Sequence, residues 1–304
     1  MRTIGGTISG SIRPERPISS GTNGERRPAA LIFLVLLWLS LLVSFGVLVT
    51  LIITTIVDGQ NQFTTRLFTE FPASSPDNAG ARPAILGSAW VIATTAALTL
   101  PLGIAAAVHL EEFADKKNWF NKLIELNVQN LAAVPSIVYG LLALAFLTML
   151  GVKDKNIVIG GALALSLLIL PVIIIATREA LRSVPMEIRQ GSLALGATQW
   201  QTVWRQTLPS AMPGIATGSI LALSRALGEA APLLVLGALV FVSFDPNGLL
   251  SGYTTLPIQI FNWTGRPQEG FRELAAATSI LLLALLVLMN SLAIFIRNTF
   301  QKRW

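Results

Sequence analysis

A chain of 304 residues that is 53% hydrophobic and only 12% charged, with a mean hydropathy of +0.65, lies outside the composition of soluble domains and reads as an integral membrane protein. It has no cysteine and a single histidine, His109, which excludes disulfides and thiolate sites and leaves little for a zinc or iron site; no metal or cofactor bound by this chain is expected. The net charge of +6 would suggest nucleic acid in a soluble protein, but here the basic residues are dispersed at the ends of apolar runs, where they act as topology signals.

Residues 1–29 are rich in Gly, Ser, Pro and Arg and lack apolar periodicity, so a flexible cytoplasmic tail is expected. Ala30–Val57 exceeds the roughly 20 residues needed to cross a bilayer and ends without a small-residue cleavage site, which makes it an anchor and not a signal peptide. Residues 58–83 form an extracytoplasmic loop. Further spans are expected at Ala84–Leu110, Leu131–Leu150, Ile157–Thr177, Pro213–Val242 and Leu274–Ile296, giving an all-α fold of six transmembrane helices whose core runs over 84–297 and whose C-terminus is 298–304. An even number puts both termini on one side. Of the Lys and Arg residues, 15 lie in the tail, the even loops and the C-terminus and 6 in the opposite set, which predicts cytoplasmic termini.

The segment Glu111–Asn130 alternates Trp119, Leu123, Leu126 and Val128 with charges and predicts a short interfacial helix. His109, beside Glu111 and Glu112, reads as an interfacial histidine rather than a proton relay. The long extracytoplasmic loop Ser243–Arg272 is either a connection or a platform for a binding protein.

Val184–Gly214 is a polar insert between two apolar segments. Val184, Ile188 and Leu195 on one side of Gly196, and Trp200, Val203, Trp204 and Leu208 on the other, recur at helical spacing and predict two amphipathic helices. Gly196 suits a left-handed turn between them, and Pro209 with Pro213 is expected to stop the second helix before the next span. The result is a cytoplasmic helix-turn-helix hairpin, either packed on its own helix ends or kept for a soluble partner.

In the fifth span, Gly214, Gly218, Ala222, Ala226 and Ala230 form a row that permits close helix packing. Beside it Leu221, Arg225, Glu229 and Leu233 also step by four, so Arg225 and Glu229 are expected to pair. A charge at bilayer depth costs on the order of 3 kcal/mol and faces a partner or a water-filled path. The pair is therefore a structural ion pair or part of an anion pathway, for which the planar guanidinium of Arg225 suits an oxyanion. Arg178 with Glu179 reads as a second station on that pathway or as a positive-inside anchor.

Binding-protein-dependent ABC importers carry a cytoplasmic signature of Glu-Ala-Ala, three residues, Gly, nine residues, Ile, any residue and Leu-Pro. Gly196, Leu208 and Pro209 occupy the matching positions here, while Gln190, Gly191 and Ser192 stand in place of the first triplet and Gln206 in place of Ile. Together with VPSIVYG at 134–140, LALSRALGEAAPLL at 221–234 and TLPIQIFNW at 255–263, the chain resembles the PstA-type phosphate permeases from about residue 84 onward. The resemblance implies an ABC importer core over 84–297. It also implies that Gln190, Gly191, Ser192, Gly196, Trp200, Trp204, Leu208 and Pro209 couple to a cytosolic ATPase. Without an acidic residue at 190, docking is expected to rest on helix shape, Gly196 and the row Trp200, Trp204 and Leu208. The implied partners are two ATPase subunits using ATP and Mg, a PstC-type permease and an external phosphate-binding protein.

Moving an anion into a negative interior costs about 2.3 kcal/mol per charge per 100 mV. The sequence contains no G-x-x-x-x-G-K-[ST] cradle with which to use nucleotide itself, so the energy must come from a partner. The expected function is a non-enzymatic permease subunit that imports inorganic phosphate across the bacterial cytoplasmic membrane. The alternatives are an ABC permease for another oxyanion such as molybdate or sulfate, and an ion-coupled secondary transporter, which usually shows internal repeats that are not evident here.

Overall fold

The computed structural model describes residues 28–115, 117–238 and 241–300. Most of the expected tail, and residues 301–304, lie outside them. The chain divides into two units, 1–51 and 52–304. The described part of the first is helical throughout and belongs to α1 (Pro28–Gly59), which continues into the second unit. No charged residue interrupts α1 before Asp58, and its 32 residues extend about 48 Å at the usual rise, longer than a bilayer core.

The second unit continues with α2 (Thr65–Thr69), α3 (Arg82–Val108), α4 (Trp119–Ala132), α5 (Ser136–Met149), α6 (Val158–Arg182), α7 (Met186–Ala194) and α8 (Gln199–Thr202). It then contains α9 (Leu208–Leu227), α10 (Ala231–Val235), α11 (Leu256–Thr264) and α12 (Glu269–Phe300). Apart from an isolated antiparallel bridge between Ile157 and Gly252, no β pairing is recorded among the described residues.

Helix α6 is the centre of this unit. Its Val158, Leu165, Leu168, Ile169 and Ile173 are buried in one cluster with Val91 of α3 and Ala222 and Ala226 of α9. The small-residue row has the expected effect: a Cβ built on Gly214 would lie 2.9 Å from Ala180 Cβ, and one on Gly218 would lie 2.6 Å from Ala176 Cβ. Glycine at these two positions lets α9 approach α6 more closely than any side chain would allow. Helix α11 is buried through Leu256, Ile258, Gln259 and Trp263, and its Ile258 joins the α6 cluster.

Six continuous spans are expected from the sequence, and the structure is more broken. Four helical stretches are long and apolar enough to cross a membrane: Leu31–Gln62, Arg82–Phe113, Val158–Arg182 and Glu269–Thr299. The expected third span starts only at Ser136, because Leu131 belongs to α4; α4 and α5 are bent by 110° across Pro135. The expected fifth span, Pro213–Val242, is not one helix. It begins earlier, at Leu208, and ends at Leu227; Gly228 caps it, Pro232 opens the short α10, and Gly237 turns the chain with φ of +81°. Ala230 consequently lies beyond the row that it is expected to extend.

Candidate translocation cleft and coupling hairpin

Arg225 lies in the last turn of α9, where its charge complements the carbonyl end of the helix. Glu229 lies beyond that end: its N–H donates to Ala226 O at 3.2 Å, and its Oε1 stands 3.7 Å from Arg225 Nε. The two residues meet as the spacing predicts, but across a helix terminus and not along a continuous turn. They line an open cleft of about 510 Å³ with Ser224, Gly228 and Asn290, flanked by Leu221 and Leu286.

The side chain of Arg225 is 51% exposed on this face and that of Glu229 20%. A half-exposed guanidinium in a membrane protein is satisfied by water or by another protein surface. Asn290, an amide inside the apolar run of α12, has a buried Oδ1 without a hydrogen-bond partner among the described residues. The cleft therefore offers N–H donors on Arg225 and a carboxylate acceptor on Glu229, with Asn290 in its wall. That set matches an oxyanion carrying a proton of its own, which both accepts and donates. Asn290 escapes the sequence reading, although a lone amide within an apolar helix is itself a signal.

Arg178 and Glu179, read together as a second station or an anchor, do not meet. Adjacent residues on a helix do not face each other. Arg178 is buried, with Nε 3.2 Å from Glu111 Oε2 and an Nη 2.8 Å from Glu125 Oε1. Glu179 instead meets Arg182 at 3.3 Å, and Arg182 reaches Glu111 at 3.0 Å. Two carboxylates thus occupy the guanidinium expected to serve as an anion station. Glu111, Glu112, Glu125 and Arg189 are not among the residues that the sequence singles out for a role, yet they hold this end of the fold together. The available signal is two adjacent carboxylates ending a span, followed by arginines at 178, 182 and 189.

The hairpin forms as α7 and α8 around Gly196, whose φ is +85°. Gly196 N–H donates to Leu193 O at 2.9 Å and Ala197 N–H to Ser192 O at 3.3 Å, the paired bonds that satisfy a helix C-terminus through a left-handed residue. Thr198 and Gln201 then form a reciprocal capping box that starts α8. The expected stop at Pro209 and Pro213 does not occur. After α8 the chain passes through a π turn, Val203–Thr207, directly into α9. Pro209 follows this π turn inside a continuous helical run, so its missing N–H falls beside the widened turn.

The residues expected to meet an ATPase divide into three groups. Gln190, Gly191 and Gly196 are exposed around the tip with Leu193 and Leu195, the latter 91% exposed. Ser192 faces inward, its Oγ 2.9 Å from Thr202 Oγ1, and ties the two arms together. Trp200, Trp204 and Leu208 lie on a flank, lining an apolar groove with Ile104, Val108, His109 and Phe113 at the end of α3. The Phe113 and Trp200 rings are 5.8 Å apart and the Trp200 and Trp204 rings 5.4 Å apart.

Residues 99–304 match the family model described as the binding-protein-dependent transport system inner membrane component. The phosphate transport system permease protein PstA of Yersinia pestis is 32% identical over 271 residues, covering 88% of this chain and 90% of that one. A PstA 1 of Mycobacterium tuberculosis is 35% identical and covers 71% of each chain. The probable ABC transporter permease protein YqgI of Bacillus subtilis is 35% identical and covers 74% of each. Among solved structures, a bacterial alginate ABC transporter superposes with a TM-score of 0.62 at 16% identity, over 91% of this chain and 99% of that one. The inward-facing MetNI methionine transporter gives 0.57 at 19% identity, over 71% and 94%. These two likenesses establish the fold. A multi-pass helical chain with a polar helix-turn-helix hairpin, matched by this family model over two thirds of its length and by PstA relatives over most of it, belongs to the binding-protein-dependent transport system inner membrane components and is a PstA-type ABC permease.

Proposed function

We propose that this chain forms one half of the pore of an ATP-driven importer of inorganic phosphate in the bacterial inner membrane, with both termini cytoplasmic. The observation that carries this reading is the cleft in which Arg225 supplies donors while Glu229 supplies an acceptor. Near neutral pH inorganic phosphate keeps at least one proton, so it can use both kinds of group, whereas sulfate has only acceptor oxygens. The PstA relatives favour the same substrate. Since half of the Arg225 side chain is open on this face, a second permease of PstC type covers it and completes the pathway.

Energy enters through the hairpin tip. Two ATPase subunits, which bind ATP and Mg themselves, engage Gln190, Gly191, Leu193, Leu195 and Gly196, and an external phosphate-binding protein delivers the anion. The chain performs no chemical conversion and holds no cofactor of its own. Cross-linking tests the arrangement directly, because the chain contains no cysteine and the thiol introduced by Leu195→Cys is unique within it. That variant should cross-link to a nucleotide-binding subunit from the cytoplasmic side. Labelling of the introduced thiol by an impermeant reagent from the extracytoplasmic side contradicts the proposed orientation.

A further inference from the structure

The cytoplasmic end of α3 passes into a π turn, His109–Phe113, closed by a 2.8 Å hydrogen bond from Ala114 N–H to His109 O. This turn carries two consecutive carboxylates. Neighbouring residues on a helix project roughly 100° apart, so the two serve different elements. Glu111 holds Arg178 and Arg182 of α6, at 3.2 and 3.0 Å. Glu112 holds Arg189 of α7 at 2.8 Å, and its backbone oxygen accepts a hydrogen bond from Gln199 Nε2 at the start of α8. Both arms of the hairpin are thereby tied to one residue of α3.

The Glu112–Arg189 contact is well shielded, with side-chain exposures of 9% and 16%. Arg189 also donates to Leu181 O at 2.8 Å and Val184 O at 3.3 Å, so the same guanidinium reaches the end of α6. The hairpin is joined covalently to α6 and α9 but has no covalent path to α3. A displacement that moved α6 and α9 alone would shear the α3–α6 interface, where a Cβ on Gly103 would already lie 2.7 Å from Ile173 Cγ2. Apolar side chains can slide past one another, whereas opening a shielded ion pair strands two charges.

We propose that Glu111 and Glu112 form a junction that makes α3, α6 and the hairpin move as one body, with Glu112 a positioning residue for coupling ATP hydrolysis to transport. This rests on the reading of the chain as an ATP-driven permease.

The test uses the whole complex in proteoliposomes, measuring phosphate uptake and ATP hydrolysis together. Glu112→Gln and Arg189→Gln are each expected to assemble and hydrolyse ATP while moving at least about fivefold less phosphate per ATP. The double variant should be no worse than the worse single one, because both remove the same contact. An unchanged ratio in either single variant, or losses that multiply in the double variant, overturns the proposal.

A second measurement needs neither variant nor any transported solute. Spin labels at Leu195→Cys on the hairpin and Leu102→Cys on α3, both exposed positions, should hold one separation with and without ATP and vanadate. A separation that changes by several ångströms overturns the junction. Constant separation without phosphate uptake supports it while rejecting phosphate as the substrate.

Discussion

Arg225 and Glu229 approach to 3.7 Å across the end of α9, with Gly228 between the helix and the glutamate. Their separation can therefore change by rotation about a short segment, with no helical turn to unwind. At this distance the guanidinium keeps donors for an arriving anion. Replacing Arg225 by Gln should lower phosphate uptake by about 10-fold or more, the scale of a charge-assisted hydrogen bond of roughly 1.5–3 kcal/mol. Complex assembly, followed by size-exclusion chromatography, should remain intact; loss of assembly instead identifies a purely structural ion pair.

Asn290 gives a prediction of opposite signs for stability and transport. Its Oδ1 is buried with no partner among the described residues, so Asn290→Leu removes an unsatisfied polar atom. Thermal stability in detergent should stay level or rise, by up to about 1 kcal/mol, while uptake falls several-fold. A variant that transports normally removes Asn290 from the pathway.

Gly196 tests the turn apart from crowding. A Cβ there meets nothing within 4 Å, so the cost of a side chain comes from φ of +85° alone. Gly196→Val should cost about 1–2 kcal/mol in the turn and leave ATP hydrolysis poorly coupled to uptake. Gly196→Asn should be much milder, since Asn tolerates the left-handed region. Equal transport by the Val, Asn and native proteins would show that the turn geometry is not used.

Gly218 tests packing. A Cβ would stand 2.6 Å from Ala176 Cβ, and Gly218→Val should lower stability by about 1–3 kcal/mol, read as a reduced Tm of the solubilised complex. Gly46→Ala, with open space around its Cβ, serves as the control and should not lower Tm.

Much of this is legible in the sequence where the signal is local. The length of the apolar runs points to the helical membrane build, the four-residue spacing of Gly214 and Gly218 to the close α6–α9 contact, and Gly196 between two periodic segments to the hairpin. The break after Leu227 is obscured because the apolar run continues through Leu233 and Leu234, although Gly228, Pro232 and Gly237 all lie within it. Pro209 reads as a stop, yet the helix continues through it directly after the π turn. Neither π turn has a pattern that announces it. The carboxylate junction is hidden for another reason: Glu111 and Arg178 lie 67 positions apart and Glu112 and Arg189 lie 77 apart, and local periodicity carries nothing about such pairs.

Arg178 separates an anchoring role from a transport role. Replacement by Met removes the nearer cation from Glu111 and Glu125, and loss of one partner from a buried pair costs about 3–5 kcal/mol; Arg182 still reaches both carboxylates, so the lower figure is expected. The complex should lose stability and yield, while the uptake that survives per assembled complex stays near normal. Full assembly with abolished uptake would restore Arg178 as an anion station.

The central claim is that this chain carries phosphate through a cleft built on Arg225 and Glu229, driven by a partner ATPase. Its most direct measurement is labelled phosphate uptake into proteoliposomes containing the whole complex, with ATP and the external binding protein supplied and excess sulfate as competitor. Uptake should require ATP and the binding protein, resist sulfate, and fall by about 10-fold or more in Arg225→Gln. Phosphate uptake by this chain alone under an ion gradient, or ATP-driven uptake of sulfate in place of phosphate, would contradict the account.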